Sequence, residues 1–359
     1  MSDQKPPLRL ANSLILLLTP FLALVAVPWY GYRVGFDLFE WSIFAVYMAL
    51  TGLSITVGYH RLWAHKTYKG HFVFRLCCAI WGACALQNSI IHWTSDHRNH
   101  HRFVDRDERD PYSAGRGFWF SHMGWILRRH ESAKDDFSNV KDVMADPVVQ
   151  WQHKYYLPIA GVTNVVIPLL LGYWHGNLWG TLLLAGLLRL VLNHHFTFLI
   201  NSLAHIWGRQ TYGLDNTSRD NYFLAFFTYG EGFHNYHHRF QWDYRNGIKW
   251  WHFDPSKWVI RLSSWVGLTY RLKYPSPYKV EQARLQVDYD RALQRALSDG
   301  ERQGLQDCYQ ALRSALEALV TFQQHLNKKD ITVKKEQAKL KADLKHQRRA
   351  WREVSKLAA

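Results

Sequence analysis

Residues 72–101 read FVFRLCCAIWGACALQNSIIHWTSDHRNHH. How the first part of this stretch meets a membrane decides the topology of the chain. The run 72–93 is long and apolar enough to cross a hydrocarbon core, which takes about 20 residues of helix. Arg75, Gln87, Asn88 and His92 interrupt it, and His97, His100 and His101 follow it directly. A second histidine pair, His60 and His65, closes an earlier apolar run, WSIFAVYMALTGLSITVGY at 41–59. If 72–93 crossed, the two groups would lie on opposite faces and could share no metal. The sequence therefore predicts that 72–93 lies at the interface or dips into it.

Working outward, residues 10–32 (LANSLILLLTPFLALVAVPWYGY) carry no charge and fit one span, and 41–59 fit a second. Between Lys154 and Arg189 the chain is again uncharged, broken at GYWHGNLWG (172–180), which reads as a turn. That predicts a third span near 155–172 and a fourth near 178–204. The short loops 33–40 and 172–178 contain one basic residue, Arg33. Lys and Arg collect on the cytoplasmic side, so both termini and every histidine group are expected there. No cleavable signal peptide is evident, because the first apolar run is long enough to span and lacks a small-residue cleavage site.

The chain has 359 residues, 20 His, 17 Trp and a formal net charge of +15. The basic residues form no recognition motif, so membrane-proximal segments explain the charge better than nucleic acid does. Four cysteines without CxxC spacing point to a reduced compartment. Beyond about residue 280 the composition turns charged and rich in Ala and Leu. Leu305, Leu312, Leu316 and Leu319 are helically spaced, and Gly300 and Gly304 suggest a break. A membrane domain over 1–280 and a helical, charged tail over 281–359 are expected.

Three histidine groups recur: HRLWAH (His60, His65), HRNHH (His97, His100, His101) and HNYHH (His234, His237, His238). Positions i, i+3 and i+4 share one helix face, so each HxxHH aims three imidazoles together. Five steps from His60 to His65 turn roughly 140° on an α-helix, so a bend or helix end is expected between them. Eight imidazoles suit two first-row ions. His71, His122, His130, His153, His175, His252, His325 and His346 read as ordinary surface or packed histidines.

The segments GYHRLWAHKTY, DHRNHHRFVDRDERDPY, RGFWFSHMGW, INSLAH, GEGFHNYHH and DYRNGIKWW resemble the membrane-bound acyl-CoA desaturases of the stearoyl-CoA type, over roughly residues 40–275. The resemblance implies an all-α integral membrane protein, with four spans in two hairpins under a helical cytosolic cap. It implies two irons that use O2 to remove two hydrogens from a long-chain saturated acyl-CoA, at Δ9. It adds His205 as a ninth ligand, with Asn201 reaching the second metal through water. His194 lies too far along its helix to serve the same ion as His205, and both His194 and His195 are assigned to packing. Asp96, Asp110 and Glu231 are candidates to orient the ligands. The resemblance places Gln87, Trp93 and Thr197 at the bend of an acyl tunnel, Met48 and Gly52 near its closed end, and Arg128 and Arg129 against CoA phosphates.

The chain has no His-Pro-Gly-Gly haem motif, so a separate ferredoxin, rubredoxin or cytochrome b5 is the expected electron donor, and the bacterial inner membrane is favoured over the endoplasmic reticulum. An acyl lipid is an alternative substrate. A membrane di-iron hydroxylase or alkane monooxygenase is the alternative enzyme, and a non-enzymatic metal-binding membrane protein the alternative of another class.

Overall fold

A computed structural model describes residues 6–133, 136–324 and 331–357. Among the described residues the regular structure is helical apart from one two-residue antiparallel pair, Lys69–Gly70 with Thr269–Tyr270, and two isolated bridges. Four helices are long and apolar enough to span: α1 (Leu10–Arg33), α2 (Leu38–Ala64), α5 (Tyr156–His175) and α6 (Leu178–Ile206). They match the spans expected from the sequence. Between α2 and α5 lie α3 (Phe72–Cys84) and α4 (Ile90–Phe103). On α1, Leu14, Leu17, Leu18, Phe21, Leu24 and Val25 are exposed. Such a face suits lipid, whose hydrocarbon core needs every backbone group paired within the helix.

The stretch 72–93 is not one helix. α3 has 13 residues, about 20 Å at 1.5 Å each, too short to cross. The chain then reverses through Ala85–Ser89, where Leu86 and Asn88 adopt positive φ (51° and 77°). Two side chains of α6 hold this turn. Arg189 donates to Cys84 O (3.0 Å), and its other donors meet Asn164 Oδ1 (2.6 Å) and Ala185 O (2.9 Å). His194 Nε2 donates to Ala85 O (2.8 Å). These bonds satisfy carbonyls that a helix end leaves open. On its inner face α3 meets α2 closely, because Gly82 has no Cβ to strike the Tyr59 ring, which would stand 2.2 Å away. Among the described residues there is no fifth span, as the histidines required, and the stretch turns back on itself through a tight reversal.

α2 has 27 residues and α6 has 29, against the roughly 20 a bilayer core needs. The surplus is enough to carry the last turns, with His60 and Asn201–His205, past a hydrocarbon core. The histidine-bearing α8 (His234–Arg239) packs there, preceded by α7 (Tyr222–Phe227) and followed by α9 (Pro255–Trp265).

The second compact unit contains Arg209–Asp215 and the chain from Pro275 on, so it begins slightly before the expected 281. It consists of α10 (Pro277–Arg295), α11 (Asp299–Gln324) and α12 (Ile331–Leu357) around a core that includes Leu305, Leu312, Leu316, Leu319, Leu344 and Trp351. The leucine spacing is used as expected. The break is not at Gly300 and Gly304, which lie inside α11. It falls at Ala296–Ser298, where Ser298 and Glu301 make a reciprocal cap: Glu301 N donates to Ser298 Oγ (3.2 Å), and Ser298 N to Glu301 Oε2 (3.1 Å). His325 lies outside the described residues.

Candidate metal centre and adjoining cavity

The last turns of α2 are wound as a π-helix, Ser54–Ala64. The widened ladder appears as His65 N donating to His60 O (3.1 Å), an i→i+5 bond. It places His60 and His65 one turn apart on the same side. The helix end expected between them is present, at Ala64, and the π winding before it supplies the register that an α-helix would deny.

Nine histidines form two groups. His60, His65, His97, His101 and His237 make one, and His100, His205, His234 and His238 the other; within each group the ligand atoms lie within 4.8 Å of one another. Each HxxHH box is divided between them. From α4, His97 and His101 enter the first group and His100 the second; from α8, His234 and His238 enter the second and His237 the first. The imidazoles share a helix face, as the spacing predicts, but that face straddles both groups.

All nine use Nε2. The close approaches are His65–His97 at 2.8 Å, His101–His237 at 2.9 Å, His60–His237 at 3.0 Å, His205–His234 and His234–His238 at 3.1 Å, and His100–His238 at 3.3 Å. With metal–nitrogen bonds of about 2.1 Å, neighbouring ligands at a right angle stand about 3 Å apart. At four of the nine, a partner of the opposite ring nitrogen sets the tautomer. His100 Nδ1 donates to Asp110 (2.9 and 3.0 Å). His205 Nδ1 donates to Thr217 Oγ1 (2.9 Å), whose hydroxyl donates to Asp105 Oδ1 (2.7 Å). His97 Nδ1 meets the Tyr112 hydroxyl (3.2 Å). His60 Nδ1 lies 3.0 Å from Glu231 Oε2, in ion-pair range though off the hydrogen-bond line. With a proton on Nδ1, the Nε2 atoms face each other with bare lone pairs, an arrangement that a cation relieves. Burial, with neighbouring imidazoles and cations adding to it, holds His65, His97, His101, His234, His237 and His238 well below the usual imidazole range. They are neutral, as metal ligands must be. The donor set therefore fits two metal ions.

Of the three acidic candidates, Asp110 and Glu231 meet ligating histidines, whereas Asp96 lines the neighbouring cavity. Asp105, Thr217 and Tyr112 had not been singled out from the sequence. Asp105 and Tyr112 sit in the quoted run DHRNHHRFVDRDERDPY, but nothing in its spacing separates Asp105 from its acidic neighbours. Asp110→Asn is expected to weaken metal binding by the four-histidine group about 10–100-fold, the usual loss when such a partner is removed. Metal titration of the purified variant in detergent checks it; unchanged affinity would show that Asp110 only packs.

A cavity of about 490 Å3 adjoins the histidines, within the range of small-molecule sites. His60, His97, Asp96, Asn201, Glu231 and His234 line it, as do Ile15, Ile55, Phe196 and Tyr229. Gln87, Trp93 and Thr197 all line it and bond to one another: Trp93 Nε1 donates to Gln87 Oε1 (3.3 Å), and Gln87 Nε2 to Thr197 Oγ1 (2.8 Å). Gln87 sits between the two positive-φ residues of the turn that Arg189 and His194 hold.

Gly52 lines the cavity, close under the ring of Tyr229. A Cβ there would stand 2.1 Å from the Tyr229 ring, whose hydroxyl donates to Met48 O (2.8 Å). Met48 takes part through its carbonyl, and its side chain is not in the lining. Gly52→Leu is thus expected to drive the Tyr229 ring into the cavity, with an overpacking cost of about 1–3 kcal/mol. If the cavity takes the acyl chain that the resemblance implies, products should shift to shorter chains by gas chromatography; an unchanged chain-length profile would contradict this.

Arg128 and Arg129 do not line the cavity. Arg128 Nη1 donates to Pro6 O (2.6 Å) and Arg129 N to Pro7 O (2.9 Å), pinning the segment before α1. Arg9, on that segment, reaches the cavity instead. His194 and His195 stand outside both groups, His195 Nδ1 lying 3.0 Å from His122 Nε2. His122 also meets Ser202 Oγ (3.0 Å), at the break in α6 beside Asn201.

Fold and site thus define a four-span helical membrane protein with a histidine-only, two-centre site beside an apolar cavity. The sequence matches the family model described as Fatty acid desaturase over residues 39–271. It is 43% identical over 253 residues to acyl-CoA desaturase 1 of Saccharomyces cerevisiae, covering 70% of this chain and 49% of that one. It is 38% identical over 246 residues to stearoyl-CoA desaturase 5 of Bos taurus (67% and 72%), and 37% identical over 266 residues to an acyl-CoA Delta(11) desaturase of Spodoptera littoralis (70% and 77%). The chain belongs to the fatty acid desaturase family. It spans about half the length of its fungal relatives. These relatives are eukaryotic, so the expected bacterial inner membrane gains no support from them.

Proposed function

We propose that this protein inserts a cis double bond into a long-chain saturated acyl chain, carried as acyl-CoA, with Δ9 as the position. The observation that carries this reading is the cavity: it runs along the Trp93–Gln87–Thr197 hydrogen-bonded group and is walled by histidines of both metal groups. The nine histidines would hold two irons, with Asn201 as a water-bridged partner of the second. When bound, those irons would supply the activation of O2 for removing hydrogen from an unactivated methylene pair. The reaction balances as CH2–CH2 plus O2, two electrons and two protons, giving CH=CH and two waters.

The chain's own residues bind the acyl chain, turn it at Gln87, and keep the reacting carbons fixed in a water-poor cavity. The electrons come from a separate ferredoxin, rubredoxin or cytochrome b5. The near absence of basic residues from the loops joining α1 to α2 and α5 to α6 supports a histidine face on the cytoplasmic side.

Gas chromatography of fatty acids from expressing cells, with double-bond mapping, tests the proposal. A new Δ9 olefin is expected. A Δ11 olefin would revise the position alone. A new hydroxyl would favour a hydroxylase, and unchanged lipids without O2 uptake would leave a non-enzymatic metal protein.

A further inference from the structure

A continuous ladder of aromatic rings starts where α6 ends. Trp207 lies 5.9 Å from Phe223 between ring centroids. Phe223 and Phe226 each meet Phe227, at 5.1 and 5.3 Å. Phe226 meets Phe253 at 5.0 Å, and Phe253 meets Trp258 at 5.5 Å. Along α9 the apolar surface continues at Leu262 and Trp265, an i, i+4, i+7 stripe from Trp258. Phe223, Phe226, Leu262 and Trp265 are 59, 60, 52 and 70% exposed. A contiguous apolar surface of this kind marks an interaction site rather than a solvated face.

Contacts with the spans fix its level. Phe227 packs on Phe196 at 5.2 Å. Phe196 precedes the end of α6 by ten residues, about 15 Å of helix. At the start of α9, Ser256 Oγ and Thr56 Oγ1 are hydrogen-bonded at 2.6 Å, and Thr56 lies eight residues before the end of α2. Since α2 and α6 exceed the roughly 20 residues of a bilayer core by seven to nine, Phe196 and Thr56 sit near the point where the spans leave the hydrocarbon. Aromatic rings concentrate at that level of a bilayer.

We infer that α7 and α9 form a second, non-spanning membrane contact, whose aromatic face beds into the lipid interface beside the spans. Lipid is the occupant because the face runs on without a break from the end of a lipid-facing span, at interface height. Thr228 and Tyr229, which follow α7 directly, line the cavity, so the bedded segment carries part of the cavity wall. The inference rests on the membrane-spanning reading of α1, α2, α5 and α6, and not on the proposed reaction.

The test uses the full chain in lipid nanodiscs, with the exposed and half-exposed cysteines Cys77 and Cys308 replaced by serine. Single cysteines carry an environment-sensitive fluorophore: Phe226→Cys, Leu262→Cys and Trp265→Cys on the ladder, Leu17→Cys on α1, and Glu108→Cys as a water-exposed control. Blue-shifted emission and quenching by lipids spin-labelled near the headgroup are expected at all three ladder positions, and not at Glu108. Quenching by aqueous iodide as at Glu108 would overturn the inference. So would a blue shift without lipid quenching, which would mean that protein covers the face. If the Leu17 label also escapes lipid quenching, the spanning reading is what fails. Three independent ladder sites keep the test decisive should one variant misfold.

Discussion

Replacing His238 by alanine is expected to lower bound metal from about two ions per chain to about one and to abolish desaturation; His65→Ala should abolish desaturation with a smaller loss of metal. The asymmetry follows from the ligand count. His238 belongs to the four-histidine group, where its Nε2 stands 3.1 Å from that of His234 and 3.3 Å from that of His100. Its loss leaves three imidazoles, fewer than a closed four-coordinate site needs. His65 belongs to the five-histidine group, so its loss still leaves four. Both variants should lose activity, because the proposed reaction needs both ions. Metal analysis of detergent-purified protein, with gas chromatography of cellular fatty acids, reads the two effects separately. A His238→Ala protein with full metal content would refute the division of the boxes.

What could be read from the sequence was what depends on residue type and spacing. Four spans follow from uncharged length, and the HxxHH boxes from helical periodicity. The requirement that His60 and His97 share a face excluded a fifth span before any coordinates were known. What could not be read depends on helix winding and on long-range partners. A 140° mismatch between His60 and His65 holds only for an α-helix, and the i→i+5 bond that removes it leaves no residue signature. The sequence does not show what stands over Gly52. The ring that occupies the space, Tyr229, is 177 positions away in sequence. Arg189 read as the charge that ends an apolar run, whereas it holds the turn that aims Gln87. Arg128, which the resemblance places against CoA phosphates, also binds the Pro6 carbonyl, a partner that no residue pattern reveals.

Arg61 shows the largest stability effect expected outside the ligands. It is 1% exposed, and its guanidinium donates to Glu231 Oε1 (2.8 and 3.1 Å), Asp254 Oδ2 (3.2 Å) and Tyr244 O (2.8 Å). Asp254 in turn accepts from the Asn246 and Gly247 amides (2.9 and 3.0 Å) and caps α9. One arginine thus joins the end of α2 to the acids that support His60 and the α9 region. Removing one partner of a buried ion pair costs about 3–5 kcal/mol, because the remaining charge stays buried. Arg61→Met should therefore lower stability by about that much in detergent unfolding titrations. The pH dependence separates lost charge pairing from lost packing. Burial by itself would raise the Glu231 carboxyl, but Arg61 and His60 hold it below the usual carboxylate range. In the natural protein Glu231 is ionised at neutral pH, and its contribution is lost only as acidification passes its lowered pKa. In Arg61→Met, burial acts without its main opponent and the pKa rises. The penalty should then be largest at neutral pH and shrink as the pH falls and the carboxyl takes up a proton. An Arg61→Met protein whose deficit is the same at pH 5 and pH 8, or whose unfolding midpoint equals that of the natural chain, would show that the arginine contributes bulk and not charge.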